Sequence, residues 1–381
     1  GGFPKSSDAL GSASAKPPLL QPMKIGIITF HAAINYGAAL QVFALTRFLK
    51  QQGHQPEIIN YCPTPELQGK FRNRYAVFGL FPSDYLNAYK GWAFRKFQRK
   101  HLPIRGSMMT DFSDLRDLSR FDAYICGSDQ IWNAKLTGGK LDPAYFLSFA
   151  PKDVPRIAYA GSTGSDGFAN EEDAAALLGG LTSLSVREAA LKPTVERLSG
   201  KGTVHVVDPT LLPVDYSQFE SSTDRGYILL YALQASGHIY ENARKLQQLT
   251  GLPIINLGTH VNPWKHPGKQ VCGSPARYLE LFANARFVIT NSFHGTVFST
   301  IFRRPFFSCS LVGHMQPRNT RITGILEPFG LKDRFIPEGE GISREELERA
   351  RSIDWSAVSE KRDTFQADSV DFLTAALGGT V

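Results

Sequence analysis

The stretch Thr290-Asn291-Ser292-Phe293-His294-Gly295 brings an amide, hydroxyls, an imidazole and a glycine together directly after the apolar run Phe287-Val288-Ile289. Helical character follows from Thr296 to Phe302. Where a strand passes into a helix, unpaired backbone N–H groups favour an anion. A histidine there can donate to a phosphate or exchange a proton near neutrality. A second stretch, Gly127-Ser128-Asp129-Gln130-Ile131-Trp132-Asn133, follows the strand-like run ending at Cys126. Asp129 could accept a hydroxyl proton, while Ser128, Gln130 and Trp132 suit sugar hydroxyls and ring faces; the alternative is a capped turn with Trp132 in the core. In Ser185-Val186-Arg187-Glu188, Arg187 offers a planar fork for a carboxylate or phosphate, or a structural salt bridge to Glu188 or Asp208. The loop from His31 to Gly37, with Asn35-Tyr36-Gly37 leading into a helix, is an anion site or a plain tight turn; it lacks GxGxxG and a P-loop lysine. Gly161-Ser162-Thr163-Gly164 is a nest or a turn. His314, Arg318, Asn319 and Arg321 form a further loop that closes over an anion or lies solvated.

These loops need strands and helices behind them. Met23 to Phe30 is a compact apolar run that reads as a buried parallel strand. Ala38–Gln52 is helical, with Gly53 as its stop, and Glu57–Tyr61 is the next strand. Ser83–Lys100 reads as a helix with Tyr85, Tyr89, Trp92 and Phe97 as apolar contributors. Further strands are expected at 121–126, 156–160, 183–186 and 204–207, with helices at 171–178 and 187–198 between them. After a polar linker, 215–225, alternation resumes: strands at 227–231, 253–257, 286–290 and 305–309, helices at 238–249, 274–283 and 296–302. From Ile342 the chain looks helical, opened by a Ser343/Glu346 capping box, with Val358, Phe365 and Phe372 as one apolar stripe. The expected division is a tail at 1–22, a Rossmann-like domain at 23–220 on the acceptor side, a second at 226–335 on the donor side, and a helical segment at 342–381. Strands alternating with helices in two blocks give an α/β protein with two Rossmann-like domains facing across a cleft, a GT-B-like arrangement. Ligands of such sheets bind beyond the carboxyl ends of the strands, where all the loops above lie.

Composition narrows the field. The 381 residues are enough for two cores, and 42% hydrophobic content is globular. No apolar run approaches the roughly 18 residues of a membrane span. Residues 1–22 are rich in Gly, Ser, Ala and Pro, and Met23-Lys24 reads as a natural start. Cys62, Cys126, Cys272 and Cys309 form no CxxC pair, which argues against zinc and dithiol chemistry and for the cytosol. A formal charge of +7 favours anionic ligands. The densest basic stretch, Arg95 to His101, is a solvated helix face or a contact for lipid headgroups; nucleic acid binding is not expected.

The ordered set of motifs resembles the polysaccharide pyruvyl transferases. It comprises Ile25-Gly26-Ile27-Ile28-Thr29-Phe30 through Asn35-Tyr36-Gly37-Ala38, then Gly127 to Asn133, Ser185 to Glu188, Asp208-Pro209-Thr210, Thr290 to Gly295 and Asn319-Thr320-Arg321-Ile322. The resemblance implies transfer of pyruvate from phosphoenolpyruvate onto two sugar hydroxyls as a cyclic ketal, with phosphate released. The acceptor would be a nucleotide sugar, a lipid-linked oligosaccharide or a polysaccharide, and the enzyme would work in the cytoplasm or at the inner membrane face. It implies roles in donor binding or catalysis for Arg187 and His294. Where some members carry an arginine, this chain has Ser292, so donor binding would lean on Arg187, Arg318 or Arg321. In this reading His294 is the acid or assists phosphate departure, Asp129 is the base, and Asn291, Ser292, Phe293 and Gly295 line the donor site. His31, Asn35, Tyr36, Gly37, Ser128, Gln130 and Trp132 face the acceptor. Neither a metal nor a resident cofactor is expected. A nucleotide-sugar glycosyltransferase of the same fold and a non-catalytic glycan-binding protein of envelope assembly are the alternatives.

Overall fold

The computed structural model describes residues 21–65, 67–68, 82–165, 167–220, 226–258 and 266–378. Most of the expected tail, part of the expected linker (221–225) and the Tyr85 side chain lie outside them. The strands are β1 Lys24–Ile28, β2 Gln55–Tyr61, β3 Ile104–Met109, β4 Ala123–Gly127, β5 Arg156–Gly161, β6 Ser183–Val186, β7 Thr203–His205, β8 Ile228–Tyr231, β9 Ile254–Leu257, β10 Lys269–Val271, β11 Phe287–Thr290, β12 Phe306–Cys309 and β13 Phe335–Ile336. The helices are α1 Tyr36–Gln51, α2 Pro82–His101, α3 Glu171–Leu178, α4 Lys192–Ser199, α5 Gly237–Thr250, α6 Pro275–Ala283, α7 Phe293–Ile301, α8 Asn319–Leu326, α9 Arg344–Arg351 and α10 Trp355–Ala376.

Two parallel sheets result. The first has the order β3-β2-β1-β4-β5-β6-β7 and the second β10-β9-β8-β11-β12-β13. This is the expected GT-B-like arrangement of two α/β halves. Interior strands such as β4, β8, β11 and β12 are buried at every position, because helices cover both faces of a parallel sheet. Both sheets reverse strand order, between β1 and β4 and between β8 and β11, and such a reversal opens a crevice at the strand ends. Side chains pin the loops there. Gln41 donates to the Thr29 hydroxyl at 2.9 Å, and Thr29 donates to the Ser128 carbonyl at 3.1 Å. In the second sheet Asn291 accepts from the Leu233 and Gln234 amides and donates to the Gln234 carbonyl.

Several boundaries differ from expectation for identifiable reasons. Helices α1 and α7 start earlier, because Asn35 and Ser292 accept from the Ala38 and Gly295 amides as N-caps. Phe293 and His294 therefore belong to the first turn of α7. The 187–198 helix is a short turn, Ala189–Leu191, followed by α4. Arg321 stands on α8 rather than in a loop. Tyr89 and Trp92 are 43% and 47% exposed; only Phe97 of the expected apolar trio in the described part of α2 is core. The Ser343/Glu346 capping box forms.

The halves are joined by packing. Tyr36 at the start of α1 stacks on Tyr278 of α6 at 4.8 Å, meets Tyr231 of β8 at 6.0 Å, and donates to the Gly273 carbonyl at 3.0 Å. Helix α10 returns to the first sheet: Ser369 accepts from the Val207 amide at 2.9 Å, and Phe365 and Phe372 pack on His205 and Tyr159. Among the described residues no helix is long and apolar enough to cross a membrane.

Candidate functional site

The segments that follow β6 and β7 bring Arg187 and Asp208 together. The Arg187 side chain is 2% exposed and spends its fork on three partners. Nε donates to Glu188 Oε1 at 3.0 Å, Nη1 to Asp208 Oδ2 at 3.1 Å and Nη2 to Ser162 Oγ at 3.2 Å. Both salt-bridge partners weighed as alternatives are thus engaged at once. A guanidinium has five N–H groups, so two remain.

Asp208 is the hub. Its Oδ1 accepts from the Thr210 amide at 3.0 Å and hydroxyl at 2.7 Å. Its Oδ2 faces Arg187, the Ser128 hydroxyl at 3.5 Å and His294 Nε2 at 3.5 Å. Burial opposes its ionisation, but His294, Arg187 and the Thr210 amide outweigh burial and hold the carboxyl well below its usual range. Glu188 behaves similarly: burial pushes it up, and Arg187 and Arg321 bring it below the ordinary value.

The second half supplies His294, Phe293 and Arg321. Phe293 is flanked by both arginines, each guanidinium 5.3 Å from the ring centroid. Arg321 Nε lies 3.2 Å from Glu188 Oε1 without hydrogen-bond alignment. Burial and the neighbouring Arg187 cation depress Arg321 to about 10. Asp129, half-buried with a left-handed φ of 69°, places its charge within reach of both arginines. The His294 ring lies against Gly37 of the first half; a Cβ on Gly37 would stand 2.2 Å from Nδ1. With Nε2 toward Asp208, Nδ1 is the nitrogen facing α1.

A cavity of about 370 Å³ opens on this network, lined by Arg187, Glu188, Asp208, Phe293, Arg318 and Arg321 among others. Arg318 is exposed and makes no ion pair among the described residues, and Glu327 at the rim turns to Lys332 at 3.6 Å. His294 and Asp129 are not part of this lining; His294 reaches the cavity through Asp208. Among the described residues no group of three or more His, Cys, Asp or Glu side chains could hold a metal ion.

Other expected site residues are structural in place. Trp132 is 1% exposed, donates to the Tyr145 carbonyl at 3.2 Å and stacks on Phe146. It is a core residue and offers no ring face to an acceptor; the capped-turn alternative describes it. Trp132→Ala should therefore cost about 3–5 kcal/mol of stability in denaturant unfolding, while Trp132→Phe should leave acceptor KM unchanged. Tyr36 is held in the aromatic junction, and Asn35 and Ser292 serve as caps. Asn291, fully buried, ties two loops. Gly295 permits close approach to Thr290, whose hydroxyl would lie 2.2 Å from a Cβ. Gln130 accepts from Asn133 at 3.0 Å and packs against Gly164. His31 is buried beside a different cavity. Sequence reasoning did not assign Asp208, Glu188 and Ser162 to the site. The available signal for the first was Asp208-Pro209-Thr210, where an aspartate before proline caps a turn with one oxygen and keeps the other free.

A family model for polysaccharide pyruvyl transferase matches residues 35–311. Comparison with curated proteins gives no match. Among solved structures, Anabaena HepE in complex with UDP and glucose is similar at a TM-score of 0.50 and 10% identity, covering 93% of this chain and 100% of that one. UDP-GlcNAc 2-epimerase from Methanocaldococcus jannaschii is similar at 0.47 and 12% identity, covering 87% and 92%. Glycyrrhiza uralensis UGT73P12, solved with glycyrrhetinic acid 3-O-monoglucuronide, is similar at 0.48 and 13% identity, covering 94% and 93%. At 10% identity the likeness to HepE is one of fold. The family model spans more than half of the chain and takes in the Arg187, Asp208 and His294 positions, so the chain belongs to the polysaccharide pyruvyl transferase family and is a transferase.

Proposed function

We propose that this enzyme transfers pyruvate from phosphoenolpyruvate to two hydroxyls of a sugar in a cell-surface polysaccharide or its precursor. The observation that carries the reading, beside family membership, is the cavity bordered by Arg187, Arg318 and Arg321 with Phe293 held between two of them. Phosphoenolpyruvate carries a phosphate and a carboxylate, and cations in a partly dry site suit both. Arg321 and Arg318 have donors to spare and would take the anion, while Arg187 holds Phe293 and the carboxylates in place. The Phe293–Gly295 turn would border the donor, and the first half would carry the acceptor.

In the proposed reaction a proton adds to the methylene carbon, and the first sugar hydroxyl adds to the adjacent carbon. Phosphate then leaves with the electron pair of its C–O bond, and the second hydroxyl closes the ketal. Of the two hydroxyl protons, one balances the new methyl group and the other leaves with phosphate. His294, oriented by Asp208, is assigned the proton transfer that assists phosphate departure, and Asp129 the role of base toward the hydroxyl. The reaction as proposed uses no metal and no resident cofactor; activity should survive EDTA.

A cytoplasmic enzyme acting at the inner membrane face is part of the proposal. Supporting it, α2 exposes Tyr89 and Trp92 beside Arg95, Lys96, Arg99 and Lys100, a pairing of aromatic and basic groups suited to anionic headgroups.

The test is phosphate release from phosphoenolpyruvate across galactosides, mannosides and glucosides, with mass spectrometry of the product. A product heavier by pyruvate less water is expected; a product heavier by a sugar residue would make the protein a glycosyltransferase. His294→Ala should lower phosphate release about 100-fold or more. Near-normal release in that variant would remove His294 from the mechanism.

A further inference from the structure

The cavity at Arg187 has lining that the proposed donor does not use. His205, the last residue of β7, borders it beside Arg187, and so does half-buried Phe365 of α10. The two rings lie 5.0 Å apart. Ala189 and Ala190 add apolar surface to the same lining.

The hydrogen bond at one edge of the His205 ring decides what the other edge can do. Nε2 lies 3.2 Å from the Arg187 carbonyl oxygen. A carbonyl oxygen only accepts, so Nε2 carries the proton. Burial lowers the imidazole below its ordinary value, which leaves it uncharged near neutrality. Nδ1 then holds a lone pair. Among the described residues no group donates to Nδ1, and Nδ1 keeps contact with solvent. An open acceptor therefore stands in a lining whose arginines offer only donors.

Phosphoenolpyruvate does not answer it. Its carboxylate offers acceptors only, and so does its phosphate above a second ionisation at roughly 6; a lone pair repels both. The sugar is the substrate with hydroxyl donors. An aromatic face next to a well-placed polar atom also suits the two sides of a sugar ring, one of C–H groups and one of hydroxyls.

We propose that His205 binds a hydroxyl of the acceptor sugar through Nδ1, with Phe365 against the sugar ring. The proposal rests on the pyruvyl-transfer reading and gives the acceptor a contact inside the cavity of the arginines. Trp132 and Tyr36 are held in packing, and His31 borders a different cavity. The link to the reacting groups is direct: His205 bonds to the main chain of Arg187, whose guanidinium meets Asp208, and Asp208 faces His294. It also gives α10, from the far end of the chain, a part in the site.

Two variants separate binding from support of Arg187. His205→Phe keeps a ring beside Phe365 and removes both nitrogens. His205→Gln keeps an N–H for the Arg187 carbonyl and takes the acceptor away from the Nδ1 position. Both should raise KM for the sugar about tenfold, and His205→Gln should leave KM for phosphoenolpyruvate unchanged. Normal sugar KM in His205→Gln, or an equal rise for donor and sugar, would make His205 a support for Arg187 only and overturns the proposal. Monodeoxy analogues of the methyl glycoside that turns over, used as inhibitors, give a readout that a supporting role does not move. One of them should bind the parent about tenfold more weakly than the intact glycoside does, and that difference should vanish in both variants. Equal losses in parent and variants overturn the proposal. Nitrogen NMR of protein labelled at histidine, with His205→Gln identifying the signals, should show the Nε2–H tautomer. The Nδ1 signal should move when methyl galactoside, mannoside or glucoside is added. The opposite tautomer, or no movement with any of these glycosides, also overturns it. Should no sugar draw phosphate from phosphoenolpyruvate, the pyruvyl-transfer reading fails by itself, and the Nδ1 signal still decides whether His205 takes a sugar hydroxyl.

Discussion

Replacing Arg187 with alanine is expected to abolish phosphate release and to cost about 3–5 kcal/mol of folding stability. The guanidinium is 2% exposed and holds two carboxylates, Glu188 and Asp208, together with the Ser162 hydroxyl. Removing it leaves Glu188 buried without its main counter-charge and Asp208 with His294 alone. It also frees Phe293, which the same guanidinium flanks at 5.3 Å. Arg187→Lys should recover little, because an ammonium is a point charge and cannot meet three partners in one plane. Denaturant unfolding and a phosphate-release assay measure the two effects. The loss should also depend on pH. Asp208 and Glu188 are held below their ordinary values in the parent protein, so their contribution is fully present above the unfolded carboxylate range of roughly 4. It disappears as pH falls through the depressed folded values. The gap between parent and variant should therefore be widest near neutrality and narrow in acid. A variant as stable as the parent at pH 7 would show that this network does not hold the site.

The second large effect is expected from one methyl group. Gly37→Ala places a Cβ 2.2 Å from His294 Nδ1 and 2.4 Å from Cε1. No real contact is that short, so the ring must leave its place beside Asp208 or the two halves must separate. A displacement of about 1 Å at a reacting group costs on the order of 100-fold in rate, and overpacking costs about 1–3 kcal/mol. Phosphate release should fall accordingly, while phosphoenolpyruvate binding, which the proposed function assigns to Arg318 and Arg321, should change much less. A double-mutant cycle makes the argument specific. His294→Ala in the Gly37→Ala background should restore stability and leave activity low, since the methyl then occupies the space vacated by the ring. Full activity in Gly37→Ala would mean that His294 works from another position.

How much of this was legible beforehand depends on where a residue sits. Strands β1, β4, β8, β11 and β12 are short apolar runs because each is covered on both faces, and so they stand out in the sequence. β3 and β10 do not. They are edge strands, β3 with four exposed positions in its centre and β10 short and half-covered, so nothing selects an apolar pattern there. β13 has two residues and takes its place only by pairing with β12. The loops at the strand ends were legible for the complementary reason: they interrupt apolar runs with Gly, Ser, Asp, Asn and His. The buried Cys126 and Cys309 at the ends of β4 and β12 follow the same logic.

The sequence by itself determined the alternation of strands and helices, the two-sheet α/β class and the set of loops among which a site must lie, since burial and helix capping act over a few residues and leave a local record. Tertiary structure alone decided which members of those loops meet. Trp132 and Arg187 were both candidates for ligand contact, yet one turns into the core against Phe146 and the other meets Asp208 at the edge of the cavity. Tyr36 went to the aromatic contact with Tyr278 rather than to a ligand. His294 found Gly37 and Asp208, both contributed by the first half of the chain. These pairings depend on how two sheets and the returning α10 are stacked, and buried charges such as Arg187 and Asp208 take meaning only from the partners that stacking supplies.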